Sequence, residues 1–234
     1  MRILVGGDSW TKGWGLDFEM GQAPWPSYLD GNNEVKNVSQ SGDSNSIICQ
    51  EIKSAYHKNK PDLIIVGWTS VLRCGTKRGN IGNPWELSDP GTEWLANKYQ
   101  RSTIDDLRSQ WFDYLNQIES LPCNVIHFTV FGDELPPVKN KIDKSYLEYL
   151  ANDSGYNFLY PIPTFEFGLL QKESVKSMEI LFQNSGVEDY KLACFERDKI
   201  QLDFTSPNFQ ICGHPTHIGH MKWGEEVNRA IRSL

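Results

Sequence analysis

Residues 2–9 read Arg-Ile-Leu-Val-Gly-Gly-Asp-Ser, a short apolar run closed by a glycine pair and followed at once by an acid and a hydroxyl. A continuous apolar run of this length is the pattern of a strand buried on both faces. The shape recurs at Asp62–Gly67 (DLIIVG) and Asn124–Phe131 (NVIHFTVF), with a weaker strand at Glu34–Val38. The segments between them carry helical spacing instead. Ile47, Ile48, Ile52 and Tyr56 share a face across Ser44–Tyr56, and Ile104, Leu107, Trp111, Leu115 and Ile118 share one across Ser102–Ile118, where Ser102 opens a capping-box-like Ser-Thr-Ile-Asp. A last stretch, His217–Leu234, places Ile218, Met221, Val227, Ala230 and Ile231 near one side and reads as a terminal helix. Strands that alternate with helices predict an α/β protein, a three-layer α/β/α sandwich around a mostly parallel sheet.

At 234 residues the chain is expected to form a single domain, 1–234, with a long loop at about 74–100 that is rich in Gly, Asn and Pro. The 23 Lys and Arg against 30 Asp and Glu give a net charge of -7, and no basic stripe is clustered anywhere, so neither nucleic acid nor an anionic membrane is an expected partner. No stretch of about 18 apolar residues is present to span a bilayer. The apolar run before Asp8 is too short for a secretory signal, and the five scattered cysteines form no C-x-x-C pair, which together predict reduced thiols and a cytoplasmic location. Neither G-x-G-x-x-G nor G-x-x-x-x-G-K-[ST] occurs, and no cofactor is expected.

In parallel sheets ligands sit beyond the carboxyl ends of the strands. Those ends read Gly6-Gly7-Asp8-Ser9-Trp10 after the first strand, Ser39-Gln40-Ser41-Gly42-Asp43-Ser44 after the second and Gly67-Trp68-Thr69-Ser70 after the third, with Gly213-His214-Pro215-Thr216-His217 near the C-terminus. A serine, a glycine amide, a small hydroxyl residue and a histidine are thereby expected at one end of the sheet.

These four blocks resemble the SGNH/GDSL hydrolase superfamily, over a span running from near residue 2 to the C-terminus. The resemblance implies that Ser9 is a nucleophile and His214 its general base. It also implies that the amides of Ser9 and Gly42 hold an oxyanion, and that Thr69 is the candidate third donor. The Gly-Gly-Asp-Ser start and the Gly-Trp-Thr-Ser and Gly-His-Pro-Thr variants also resemble hydrolase-like proteins of tailed bacteriophages, for which the host cytoplasm is the implied location. Two positions depart from the family pattern: Thr69 stands where the family carries an asparagine donor, and Ile211 where it carries an aspartate that holds the histidine tautomer. Loss of one oxyanion donor costs on the order of 10²–10³ in kcat, and loss of the tautomer-holding acid about 10⁴. The implied activity is hydrolysis of an ester, with an O-acetyl group on a carbohydrate as one substrate class. The competing reading is a binding module on the same fold whose turnover has weakened.

Gly-Asp-Ser by itself is a weak signal, since a second copy stands at Gly42-Asp43-Ser44, where Ser44 reads as a helix cap. Only Ser9 follows the first strand. His214, His217 and His220 form an H-x-x-H-x-x-H run, but without the glutamate of H-E-x-x-H the reading is one base and two structural histidines, with no metal. Of the eight tryptophans, Trp111 and Trp223 fall in helical patterns and read as core, whereas Trp10, Trp14 and Trp68 adjoin the candidate site and Trp85 and Trp94 lie on the long loop, which keeps a carbohydrate or aromatic ligand open, with Trp10 and Trp68 expected to bind substrate.

Overall fold

The computed structural model describes residues 1–69, 71, 104–130, 134–153 and 215–234. The expected loop at 74–100, Ser102, Ile211 and His214 lie outside them. Four strands, β1 (Arg2–Gly6), β2 (Glu34–Asn37), β3 (Leu63–Trp68) and β4 (Asn124–Thr129), form a parallel sheet in the order β2-β1-β3-β4. The registers Ile3↔Leu63 and Gly6↔Val66 set the ends of β1 and β3 side by side. The protein is therefore α/β, and its chain leaves β1 for one side of the sheet and β3 for the other. The resulting crevice between the carboxyl ends of β1 and β3 is the topological switch point.

Alternation along the strands divides the core in two. Leu4, Ile64, Val66, Trp68 and Val125 face α2 (Asn45–Asn59) and α3 (Ile104–Glu119), where they meet Ile48, Ile52, Trp111 and Leu115. Ile3, Val5, Ile65, Ile126 and Phe128 face the opposite layer. That layer comprises a 3-10 turn (Trp25–Tyr28), α4 (Tyr146–Asp153) and α5 (His217–Arg232), which contribute Trp25, Tyr146, Leu150 and Trp223. These are the three layers expected of the pattern. Glycine sets the closeness of the first contact: a Cβ on Gly6 would stand 2.5 Å from Ile52 Cδ1 on α2.

Helix ends follow local chemistry. Ser44 is the N-cap of α2, as expected, although its hydroxyl meets Ser46 Oγ at 3.1 Å and makes no cap bond to the backbone. Thr216 caps α5 by accepting from the Gly219 amide at 3.3 Å. Helix α4 lies in a stretch that sequence patterning leaves unread, yet Ser145-x-x-Glu148 is a capping box there: the Ser145 amide donates to Glu148 Oε2 at 3.0 Å and the Glu148 amide to Ser145 Oγ at 3.2 Å. Residues 140–142 run along the outer edge of β4, with the His127 amide donating to Asn140 O and the Ile142 amide to His127 O.

A polar pair is buried within the α2–α3 face. The Trp68 indole N–H can only donate, and it reaches His127 Nδ1 at 3.0 Å. His127 Nε2 therefore carries the proton and donates to Glu119 Oε1 at 2.8 Å, while the two rings stack at an interplanar angle of 7°. That bond holds the Glu119 carboxyl below the usual carboxylate range, against the opposing effect of partial burial. Because the folded pKa is depressed, the contribution is full above the unfolded value and is lost as pH falls through the folded one. The melting-temperature gap between wild type and Glu119→Gln is therefore expected to narrow in acid, below about pH 4.3. A gap of constant size from pH 3 to 7 would count against this coupling.

Candidate active site

The site begins where β1 ends. Gly7 must lack a side chain, because a Cβ there would lie 2.3 Å from Thr11 Oγ1, and Gly67 across the crevice would crowd the same hydroxyl at 2.9 Å. With that room the chain turns into α1 (Ser9–Lys12), whose N-cap is Asp8: its Oδ1 accepts from the Trp10 amide at 3.0 Å. Ser9 is the first residue of this helix and is 7% exposed. First-turn amides have no acceptor within their own helix, so the Ser9 N–H is directed beyond the helix start.

The three strand ends are tied together by side-chain bonds. From β3, the Thr69 hydroxyl donates to Asp8 Oδ2 at 2.9 Å. From α2, the Asn45 amide grips the Thr69 backbone in both directions, with Nδ2 donating to Thr69 O and the Thr69 amide donating to Asn45 Oδ1, each at 3.0 Å. From β2, Asn37 Nδ2 donates to Thr11 O at 3.1 Å, and Lys12 Nζ reaches Gln40 Oε1 at 2.9 Å. Asp8, Thr69 and Asn45 are all buried. Gly42, three residues before Asn45, is exposed and adopts φ +81° with open space where a Cβ would stand. Its glycine is thus required by the backbone conformation rather than by crowding. Gly42→Ala is expected to cost about 1 kcal/mol of stability, read by a thermal melt; an unchanged melting temperature would show that the turn around Gly42 tolerates remodelling.

Three of the expected assignments change. A hydroxyl carries one proton, and Thr69 gives its proton to Asp8, so Thr69 is not the third oxyanion donor. Trp10 and Trp68 are packed in the core. Trp10 is 2% exposed and packs edge-on against Tyr146 with ring centroids 5.3 Å apart. Trp68 has no exposed surface and lies between His127 and Trp111. The sequence reading ended the third strand at Gly67; the strand runs one residue further, and that step places Trp68 on the same inner face as Ile64 and Val66.

His220 is structural, as expected of it. Its Nδ1 accepts from the Trp25 amide at 3.2 Å and meets the Tyr146 hydroxyl at 2.8 Å. Burial, with a smaller effect from the charge of Asp8, holds the Tyr146 phenol well above its ordinary pKa, so it stays protonated and donates. Cys49 is buried, and that burial pushes its thiol up to about 11. Sequence reasoning missed Asn45 and the acceptor role of Asp8. The only available signal was their place at the starts of α2 and α1, where Asn and Asp are common caps.

No family model and no curated protein matches the chain. Among solved structures it is similar to TesA, at 16% identity over 100% of this chain and 99% of that one, with a TM-score of 0.46. It is also similar to the lipase/acylhydrolase from Enterococcus faecalis (15% identity, 99% and 95% coverage, TM-score 0.40). A third is a member of the lipolytic protein G-D-S-L family from Veillonella parvula DSM 2008 (14% identity, 100% of both chains, TM-score 0.41). Among the described residues of this chain no helix is long and apolar enough to cross a membrane.

Proposed function

We propose that this chain is a serine ester hydrolase in which Ser9 is the nucleophile, His214 the general base, and the amides of Ser9 and Gly42 the oxyanion donors. The observation that carries this reading is the position of Ser9: first residue of an Asp8-capped helix, directly beyond β1, beside the end of β3 at the switch point of a parallel sheet. Ser9 Oγ attacks the ester carbonyl as His214 takes its proton, and the tetrahedral oxyanion is held by the two amides. The proton then passes to the leaving alcohol, and water repeats the sequence on the acyl-enzyme. His214 stands two residues before the Thr216 cap of α5 and lies outside the described residues.

Of the tryptophans that keep a carbohydrate ligand open, Trp10 and Trp68 belong to the core, while Trp14 is 54% exposed. The second reading, a binding module with weakened turnover, is favoured by one observation: the Thr69 hydroxyl is committed to Asp8, which leaves two backbone donors where three would serve. A fluorophosphonate separates the two readings. The hydrolase reading expects covalent labelling confined to Ser9, faster as pH rises through neutrality while His214 loses its proton, and abolished in His214→Ala. A folded protein in which Ser9 stays unmodified would establish the binding module.

A further inference from the structure

We propose that Thr69 is a positioning residue for the nucleophile, acting through Asp8, and that Asn45 holds Thr69 in place to do so; the inference rests on the serine-hydrolase reading and deepens it. Asp8 spends its two carboxylate oxygens on different elements. Oδ1 caps α1 through the Trp10 amide at 3.0 Å, and Oδ2 receives the Thr69 hydroxyl at 2.9 Å. The first bond sets where α1 begins, and Ser9 is its first residue. The second holds the same carboxylate from the end of β3. Thr69 is an effective anchor because its backbone is itself held: the Asn45 amide accepts from its N–H and donates to its carbonyl, both at 3.0 Å.

The chain of bonds therefore runs from the start of α2, through the end of β3, to the start of α1. It spans the segments that present Gly42 and Ser9. Asp8 and Thr69 have no exposed surface and Asn45 only 4%, so water does not compete for these bonds. Catalytic groups need to be held within about 0.5 Å of their productive geometry, and a displacement of 1 Å costs on the order of 10² in rate. A hydroxyl at position 69 that clamps the nucleophile turn contributes through that geometry rather than through contact with the reacting atoms.

The test is a double-mutant cycle read by the rate of Ser9 labelling with a fluorophosphonate and by kcat and KM on p-nitrophenyl acetate. Thr69→Val keeps the shape and removes the proton; it is expected to slow labelling and kcat by roughly tenfold with KM changed less than about twofold. Thr69→Ser restores the donor and is expected to recover most of the rate. Asp8→Ser retains a capping oxygen for α1 but is too short to receive Thr69. In that background Thr69→Val is expected to cost almost nothing further, because the link is already broken. An equal cost of Thr69→Val in both backgrounds would overturn the proposal, since a direct oxyanion donor behaves that way. A Thr69→Val protein that labels as fast as wild type would overturn it too. If wild type itself is not labelled, the hydrolase reading falls first and the positioning role with it, an outcome distinct from both. Should Asp8→Ser fail to fold, the contrast between Thr69→Val and Thr69→Ser at matched melting temperature reads the same link: equal slowing in both overturns it.

Discussion

Ser9→Ala is expected to reduce hydrolysis of p-nitrophenyl acetate by about 10² while leaving the melting temperature within a few degrees of wild type. The magnitude follows from what the site holds. Removal of the nucleophile in a complete serine triad costs about 2 × 10⁶ in kcat, and the acid that orients the histidine accounts for about 10⁴ of such an enhancement. In this sequence Ile211 occupies the position of that acid, so only the remaining factor is available to lose. Stability should change little because the Ser9 side chain ends a turn rather than filling the core, and Ala is tolerated at the first position of a helix. The measurement is kcat/KM for both proteins over the same pH range. Equal rates in two folded samples would move the chemistry away from Ser9 altogether.

Trp223→Ala is expected to cost about 3–5 kcal/mol, a fall of about 10 °C in melting temperature for a chain of this size. Trp223 is fully buried at the centre of the second core. Its indole stacks on Tyr146 with centroids 4.6 Å apart at 15° and meets the edge of Phe128 at 5.0 Å. Truncation leaves a cavity where α5, α4 and β4 meet, and the rigid aromatic neighbours have little freedom to close it. Helix α5 also presses closely on the 3-10 turn: a Cβ on Gly224 would lie 2.9 Å from Tyr28 Cβ. Because α5 begins just after His214, the same variant should lose activity on warming well before wild type does. A melting temperature lowered by only a degree or two would show that α5 is not the element that closes this layer.

Local sequence determined the elements of this protein. The runs that form β1, β3 and β4 are strands because a segment that is apolar at most positions is satisfied by burial on both faces, and that demand is written in the run itself. The same holds for α2 and α3, whose spacing of apolar residues matches the helical repeat and so states which side of each must meet the sheet; on α5 the expected face was only partly right, since Ile218 and Met221 are exposed and Trp223 and Val227 face the core. Ser9 was legible for the same reason, since it depends on one strand ending where its glycines say it ends.

The partners were decided only by the tertiary structure. Trp10 lies in a helix of four residues, too short for any periodicity to show which way it faces, and it turned inward. Trp68 changed from expected substrate contact to core when β3 extended by one residue, because a strand alternates its faces at every step. Thr69 looked like a donor to substrate, yet its proton belongs to Asp8, 61 positions away, and His127 is fixed by Trp68 and Glu119 from two other elements. Hydropathy patterning records which face of an element is buried and carries no record of which neighbour that face will meet. The order β2-β1-β3-β4 makes that choice, by setting the ends of β1 and β3 next to one another and so assigning the Thr69 hydroxyl its acceptor.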